Sequence, residues 1–307
     1  MRYYKEIILV LASLFLLFTI LSCSKTSTGS KETDQSALLS LISSNPDFFG
    51  SCVIDSTTPD TSGLGKVYAE AEDTVKAWWR MIRWSQTQRT VTIDVFPSDD
   101  VHTYPFANVS ITDTLQGDLR IIRKSSSGGW HHISKPIKDV AQRNAYFERR
   151  GFVNSLHRGW RLIEVSGLLV ESSDCTREID SVRIQSSNSQ YDTTITQDYI
   201  TDSHLLEDLF TFDLKDSITL TVYTTDPKDS VYLHAFSHLF PHLFNVRRSF
   251  DNNGDGSFSG TWVTRSDIAD MIAYRHAAID VIKHSTLDGE DPYDSKAWGI
   301  IYRLKDL

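Results

Sequence analysis

Asp251, Asn253, Asp255 and Gly256 form a D-x-N-x-D-G run. In a calcium loop such alternating side-chain oxygens converge on one hard cation, and the glycine permits the sharp turn. Trp262 stands at the twelfth position, where a bidentate carboxylate is needed. The same residues also suit the backbone angles of a tight hairpin, so a calcium site and a plain turn both stand. His234, His238 and His242 recur every four residues, but Pro241 breaks any helix that would align them. No carboxylate or thiol lies nearby at zinc-ligand spacing, and the surrounding Leu and Phe residues suggest a contact surface instead. Asp139 and Arg143 are candidates to orient a ligand inside a pocket, with a surface ion pair as the alternative. Trp78 and Trp79 offer either core packing or an aromatic ligand platform. Cys52 and Cys175 are either a disulfide closing a long loop or two small apolar side chains.

Other chemistries are absent from the sequence. There is no G-x-x-x-x-G-K-[ST], G-x-G-x-x-G, H-E-x-x-H or G-x-S-x-G run. With 31 Lys and Arg against 40 Asp and Glu, the net charge of −9 argues against a general nucleic-acid partner, which would need clustered cations. No catalytic residue is assigned and no cofactor is expected beyond the candidate calcium.

The elements that would position these residues follow from periodicity. A short helix is predicted over 36–49 and a second over 68–84, where Val75, Trp78, Trp79 and Ile82 recur at three and four residues. The period then changes to two. Strands are predicted around Val91 to Val95, Val109 with Ile111, and Leu119 to Ile122, with Gln116-Gly117 as a hairpin turn. Longer strands follow at 137–150 and 160–170. The polar stretch 173–203 reads as a boundary around one short strand at 182–184. Beyond it, alternating segments at 218–222, 231–233, 247–250, 257–264 and 274–283 fit an antiparallel sandwich, and the acidic 288–294 reads as a solvated loop.

Three resemblances add to this. Arg2 and Lys5, an apolar run over 7–20, and then Ile20-Leu21-Ser22-Cys23 before a Ser- and Thr-rich tract resemble the bacterial lipoprotein signal. That resemblance implies removal of residues 1–22, lipidation of Cys23, and a flexible tether over 23–35 that moors the mature protein to a membrane. The order of helix, strands, a long strand bearing Asp139 and Arg143, and Gly159-Trp160-Arg161-Leu162 resembles the NTF2-like α+β fold over 36–172, a curved sheet over a helix. The Asp- and Gly-rich hairpin at 251–258 and the run 274–281 resemble the immunoglobulin-like β-sandwich modules of exported bacterial proteins, over 177–307. Together they imply an envelope protein, at the outer membrane or cell surface, with a non-enzymatic binding role and an envelope or extracellular protein partner. A small-ligand carrier or enzyme using the cone, and a calcium-stabilised adhesion module, are the alternatives.

Overall fold

The computed structural model describes residues 33–50, 74–125, 128–188, 190–237, 244–264 and 272–305. In chain order the elements begin with α1 (Asp34–Ser43), α2 (Pro46–Phe49), β1 (Thr74–Ile82), β2 (Gln88–Phe96), β3 (Phe106–Lys124), β4 (Trp130–Arg149), β5 (Trp160–Ser166) and β6 (Leu168–Ser172). Next come β7 (Ile179–Ser186), β8 (Asp192–Ile195), α3 (Gln197–Thr201), β9 (Ser203–Leu205), β10 (Thr211–Asp213), β11 (Ser217–Thr224) and β12 (Ser230–Ser237). The chain ends with β13 (Phe244–Ser249), β14 (Asp251–Asn252), β15 (Ser257–Val263), β16 (Ile272–Ile282), α4 (His284–Asp288) and β17 (Ser295–Lys305).

The protein is mostly β. A twelve-stranded, largely antiparallel sheet runs β1-β3-β4-β6-β17-β16-β12-β13, with β2 added on β3, β5 on β4, β9 on β5, and β10 parallel to β17. A five-stranded sheet, β14-β15-β11-β7-β8, packs against it. Alternation decides which side chains meet. Val182, Ile184, Leu220, Val222, Phe258 and Trp262 from the small sheet interdigitate with Leu233, Ile279, Val281, Trp298 and Ile300 from the large one. On its other face the large sheet curls until the side chains of β1 reach β12, β13 and β16.

The spine of the curl is the β3–β4 hairpin, two strands of 19 and 20 residues. Each changes partner midway: β3 pairs with β2 at its start and β1 at its end, while β4 leaves β6 for β5. Gln116-Gly117, expected as a turn, lies inside continuous β3. Gly117 stands there because a Cβ would collide with the Met81 carbonyl of β1.

The expected helix over 68–84 is likewise corrected over its described part, since residues 74–82 form β1. Trp78, Arg80 and Ile82 alternate inward, and the register shift between Val75 and Ala77 disguised a period of two as one near 3.6. Aromatic and β-branched residues favour a strand there. The first helix does form. Ser36 N–H bonds Thr33 Oγ1 at 3.1 Å, and α1 lays Ala37, Leu38 and Ile42 over Val109, Phe147 and Trp160 at one end of the curl. At the other end α4 and the segment to Tyr293 form a plug, tied by Lys135 Nζ to Thr286 O at 2.7 Å and Arg123 Nε to Leu287 O at 3.0 Å. The acidic stretch 288–294 is therefore not wholly a solvated loop, since Tyr293 and Asp294 are buried.

The boundary expected between residues 172 and 177 falls within one continuous sheet, because β6 pairs with β17. β17 was not anticipated from the sequence, and its residues 295–302 are buried on both faces. Trp298, fully buried, belongs to the core shared by both sheets. Trp298→Ala is expected to cost about 3–5 kcal/mol. Urea unfolding followed by far-UV circular dichroism should show one cooperative transition moved as a unit, and two separated transitions would contradict a shared core.

Candidate functional site

A chain of buried polar groups crosses the inner face of the curl. Arg80 on β1 donates through Nη1 and Nη2 to Asp280 on β16, at 2.6 and 2.9 Å, with both side chains fully buried. Its Nε donates to the Tyr293 hydroxyl at 2.9 Å, and that hydroxyl donates to Asp139 Oδ2 at 3.1 Å. Ser295 Oγ accepts from Arg80 Nη2 at 3.0 Å and donates to Asp280 Oδ1 at 2.9 Å. His234 on β12 bonds Asp280 Oδ2 through Nε2 at 2.9 Å. Next to this group the Arg247 guanidinium lies 3.4 Å from the centre of the Trp78 ring and donates to the Trp78 carbonyl at 2.6 Å. Trp78 Nε1 in turn donates to the Tyr232 hydroxyl at 3.3 Å.

Burial and neighbouring charge set the protonation states. Burial pushes the Asp139 carboxyl up to about 7, although Arg80 and the Tyr293 hydrogen bond pull it down. At Asp280 burial also opposes the charge, but the Arg80 guanidinium and His234 outweigh it and hold the carboxyl well below its ordinary range. Burial lowers the His234 imidazole despite Asp280, which keeps the ring neutral near pH 7. Sealed from solvent, the cluster clamps β1, β4, β12, β16 and the start of β17 together. Its one group poised to change charge near neutrality is Asp139, whose Oδ1 has no hydrogen-bond partner.

Asp139 and Arg143 both point inward, but they are not a pair. Four residues along one strand separate them by about 13 Å. Arg143 is buried near Asp113 and Arg89, and its Nε and Nη2 have no hydrogen-bond partner. Burial, reinforced by Arg89 and opposed by Asp113, lowers its guanidinium to about 10. The two tryptophans part company: Trp78 is buried inside the curl, while Trp79 faces outward into a groove.

Cys175 is a half-buried free thiol donating to the Ser295 carbonyl, and its expected partner Cys52 lies outside the described residues, as does Cys23. His234 serves Asp280, while His238 and His242 also fall outside. Residues 251–257 form a hairpin with Gly254 and Gly256 at φ of 84° and 87°. Asn253 Nδ2 donates to Ser257 and Ser259 hydroxyls at 2.9 Å, and Asp255 Oδ1 accepts from the Ser257 amide at 3.0 Å. Among the described residues no three His, Cys, Asp or Glu side chains are grouped to hold a metal ion. Asp251 is exposed, and within the turn the Gly254 amide donates to Asn252 Oδ1 at 2.8 Å.

Arg80, Asp280, Tyr293 and Arg247 were not singled out from the sequence. The available signal was a charge inside an apolar strand, as in Ala277-Ala278-Ile279-Asp280-Val281. Compared with protein-family models, curated proteins and solved structures, the chain matches none of them.

The Asp139 carboxyl at about 7 stands above its ordinary 3.8, so between those values the folded state holds a proton that the unfolded state releases. Stability from this group therefore falls as pH rises through that window. Asp139→Asn cannot ionise, so its melting temperature relative to the wild type should rise between about pH 4 and pH 7 and level off above that. Parallel curves by scanning calorimetry would contradict the shifted carboxyl.

Proposed function

We propose that this chain is a lipid-anchored protein of the cell envelope whose role is binding or interaction rather than catalysis. The anchor rests on the charged, apolar and Ser-Cys order of residues 2–23. The binding role rests on one observation, an open groove of about 310 Å³ on the outer face of β1, β3 and β4. Trp79, Met81, Arg120, His132 and Ser134 line it over the strand backbones. Met81, Trp84 and Trp130 are exposed along the same part of the sheet. Aromatic residues and arginine dominate binding energy at protein interfaces, and contiguous exposed apolar groups on a folded surface mark where partners sit. The partner this fits is an envelope or extracellular protein.

At a finer architectural level we read residues 36–172 as NTF2-like, supported by the curled sheet with α1 and α2 across one end. Residues 177–307 are read as immunoglobulin-like, supported by the five-stranded sheet facing β12, β16 and β17. A second reading, a carrier for a small anion, draws on the buried guanidinium of Arg143.

Cys23→Ser is expected to move the protein from the membrane pellet to the soluble fraction, and unchanged retention would refute the anchor. A photo-crosslinking amino acid in place of Trp79 should give discrete adducts in intact cells, whereas one in place of the exposed Tyr223 should not. Identical patterns at the two positions would refute the groove as the contact surface.

A further inference from the structure

The loop between β4 and β5 projects from the same end of the molecule at which the described chain begins. It carries Phe152, Val153 and Leu156, with Phe152 at 85% and Leu156 at 83% exposure. Single exposed apolar residues are ordinary, but three within five positions on one projection are not. A fourth, Val101, is 85% exposed in the neighbouring β2–β3 loop. The two loops touch, since the Arg150 guanidinium lies over the Tyr104 ring and the Arg149 amide bonds the Pro105 carbonyl at 2.9 Å.

The projection is built rather than loose. Its neck is closed by Gly151 N–H to Gly159 O at 3.1 Å, and a Cβ on either glycine would strike the other's backbone. His157, Arg158 and Gly159 all take positive φ, a costly run that holds only where the surroundings impose it. The imposing group is Asp34, the first residue of α1. Its Oδ1 accepts from Arg158 Nε at 2.9 Å and Trp160 Nε1 at 3.1 Å, and Arg149 Nη1 lies at 3.2 Å.

The apolar loop and the point where the tether enters the fold are therefore fixed to each other. Cys23 is ten residues before Thr33. That length spans at most about 36 Å.

We propose that the β4–β5 loop is a membrane-docking element, whose Phe152, Val153 and Leu156 enter the interface of the bilayer that holds the Cys23 anchor. This rests on the anchor reading and goes beyond it by assigning which face of the protein meets the lipid. Charge says how the loop docks. Arg149 and Arg158 are paired with Asp34, Arg150 is paired with Glu148 at 2.6 Å, and Asp99 and Asp100 directly precede Val101. With its cations neutralised, the loop docks through apolar insertion, so uncharged lipid suffices and added salt changes little.

The test uses the full chain made in a bacterium, extracted and reconstituted into phosphatidylcholine vesicles. Cys52 and Cys175 are replaced by Ser, and an environment-sensitive fluorophore is placed at Phe152→Cys, at Leu156→Cys, or at Tyr223→Cys on the far sheet. Emission from 152 and 156 is expected to shift to the blue and to fall roughly twofold with shallow spin-labelled lipid, while 223 does neither. Water-like emission at both loop positions in protein that floats with the vesicles would overturn the docking loop and leave the anchor standing. A blue shift without quenching would assign the loop to a protein contact, which also overturns it. Protein that never floats would overturn the anchor reading, and the docking loop with it.

Discussion

The bidentate pair between Arg80 and Asp280 joins strands at opposite sides of the curled sheet. β1 is an edge strand and β16 lies near the opposite edge, yet the two meet through 2.6 and 2.9 Å hydrogen bonds in a fully buried setting. A buried pair is weak grounds for net stability, because desolvating both ions offsets much of their attraction, but it is demanding about geometry. Each remaining donor or acceptor needs a partner, and Ser295, His234 and Tyr293 supply them from three other segments. The curl thus has one closed arrangement, and the apolar clusters on either side of the network pack around it.

Two ends and two faces then take different tasks. One end of the curl is covered by α1 and α2, the other by α4 and the plug ending at Tyr293. The inner face is filled by the molecule's own side chains, with Ala141, Ala278 and Ala297 leaving room for the long polar ones beside them. Of the outer faces, one packs on the five-stranded sheet and the other carries the Trp79 groove. Among the described residues, that groove and the apolar loop at the α1 end both stay open to other molecules.

Most strands were legible in the sequence because period two is unambiguous where one face is buried, as at Ile218, Leu220 and Val222. The polar character of Asp139 and Arg143 was legible, and both do face inward, but their separation was not, since spacing alone does not say that a strand carries them past each other. β1 was misread because a bulge shifts its register. β17 was overlooked because a strand buried on both faces has no alternation to reveal it. The Arg80–Asp280 network was invisible for a related reason. A charge within an alternating strand is naturally assigned to solvent, and only long-range closure, with partners 200 residues apart, turns it inward.

β17 occupies the middle of the large sheet, between β6 and β16, and its side chains serve both the sandwich and the curl. Some earlier strands pair with near neighbours in sequence, as β3 does with β4 and β12 with β13, yet neither layer has a finished interior before residues 295–305 take their place. Such late, long-range completion makes for slow assembly. It also means that a chain threaded through a narrow channel could not commit to its final shape until nearly all of it had come through.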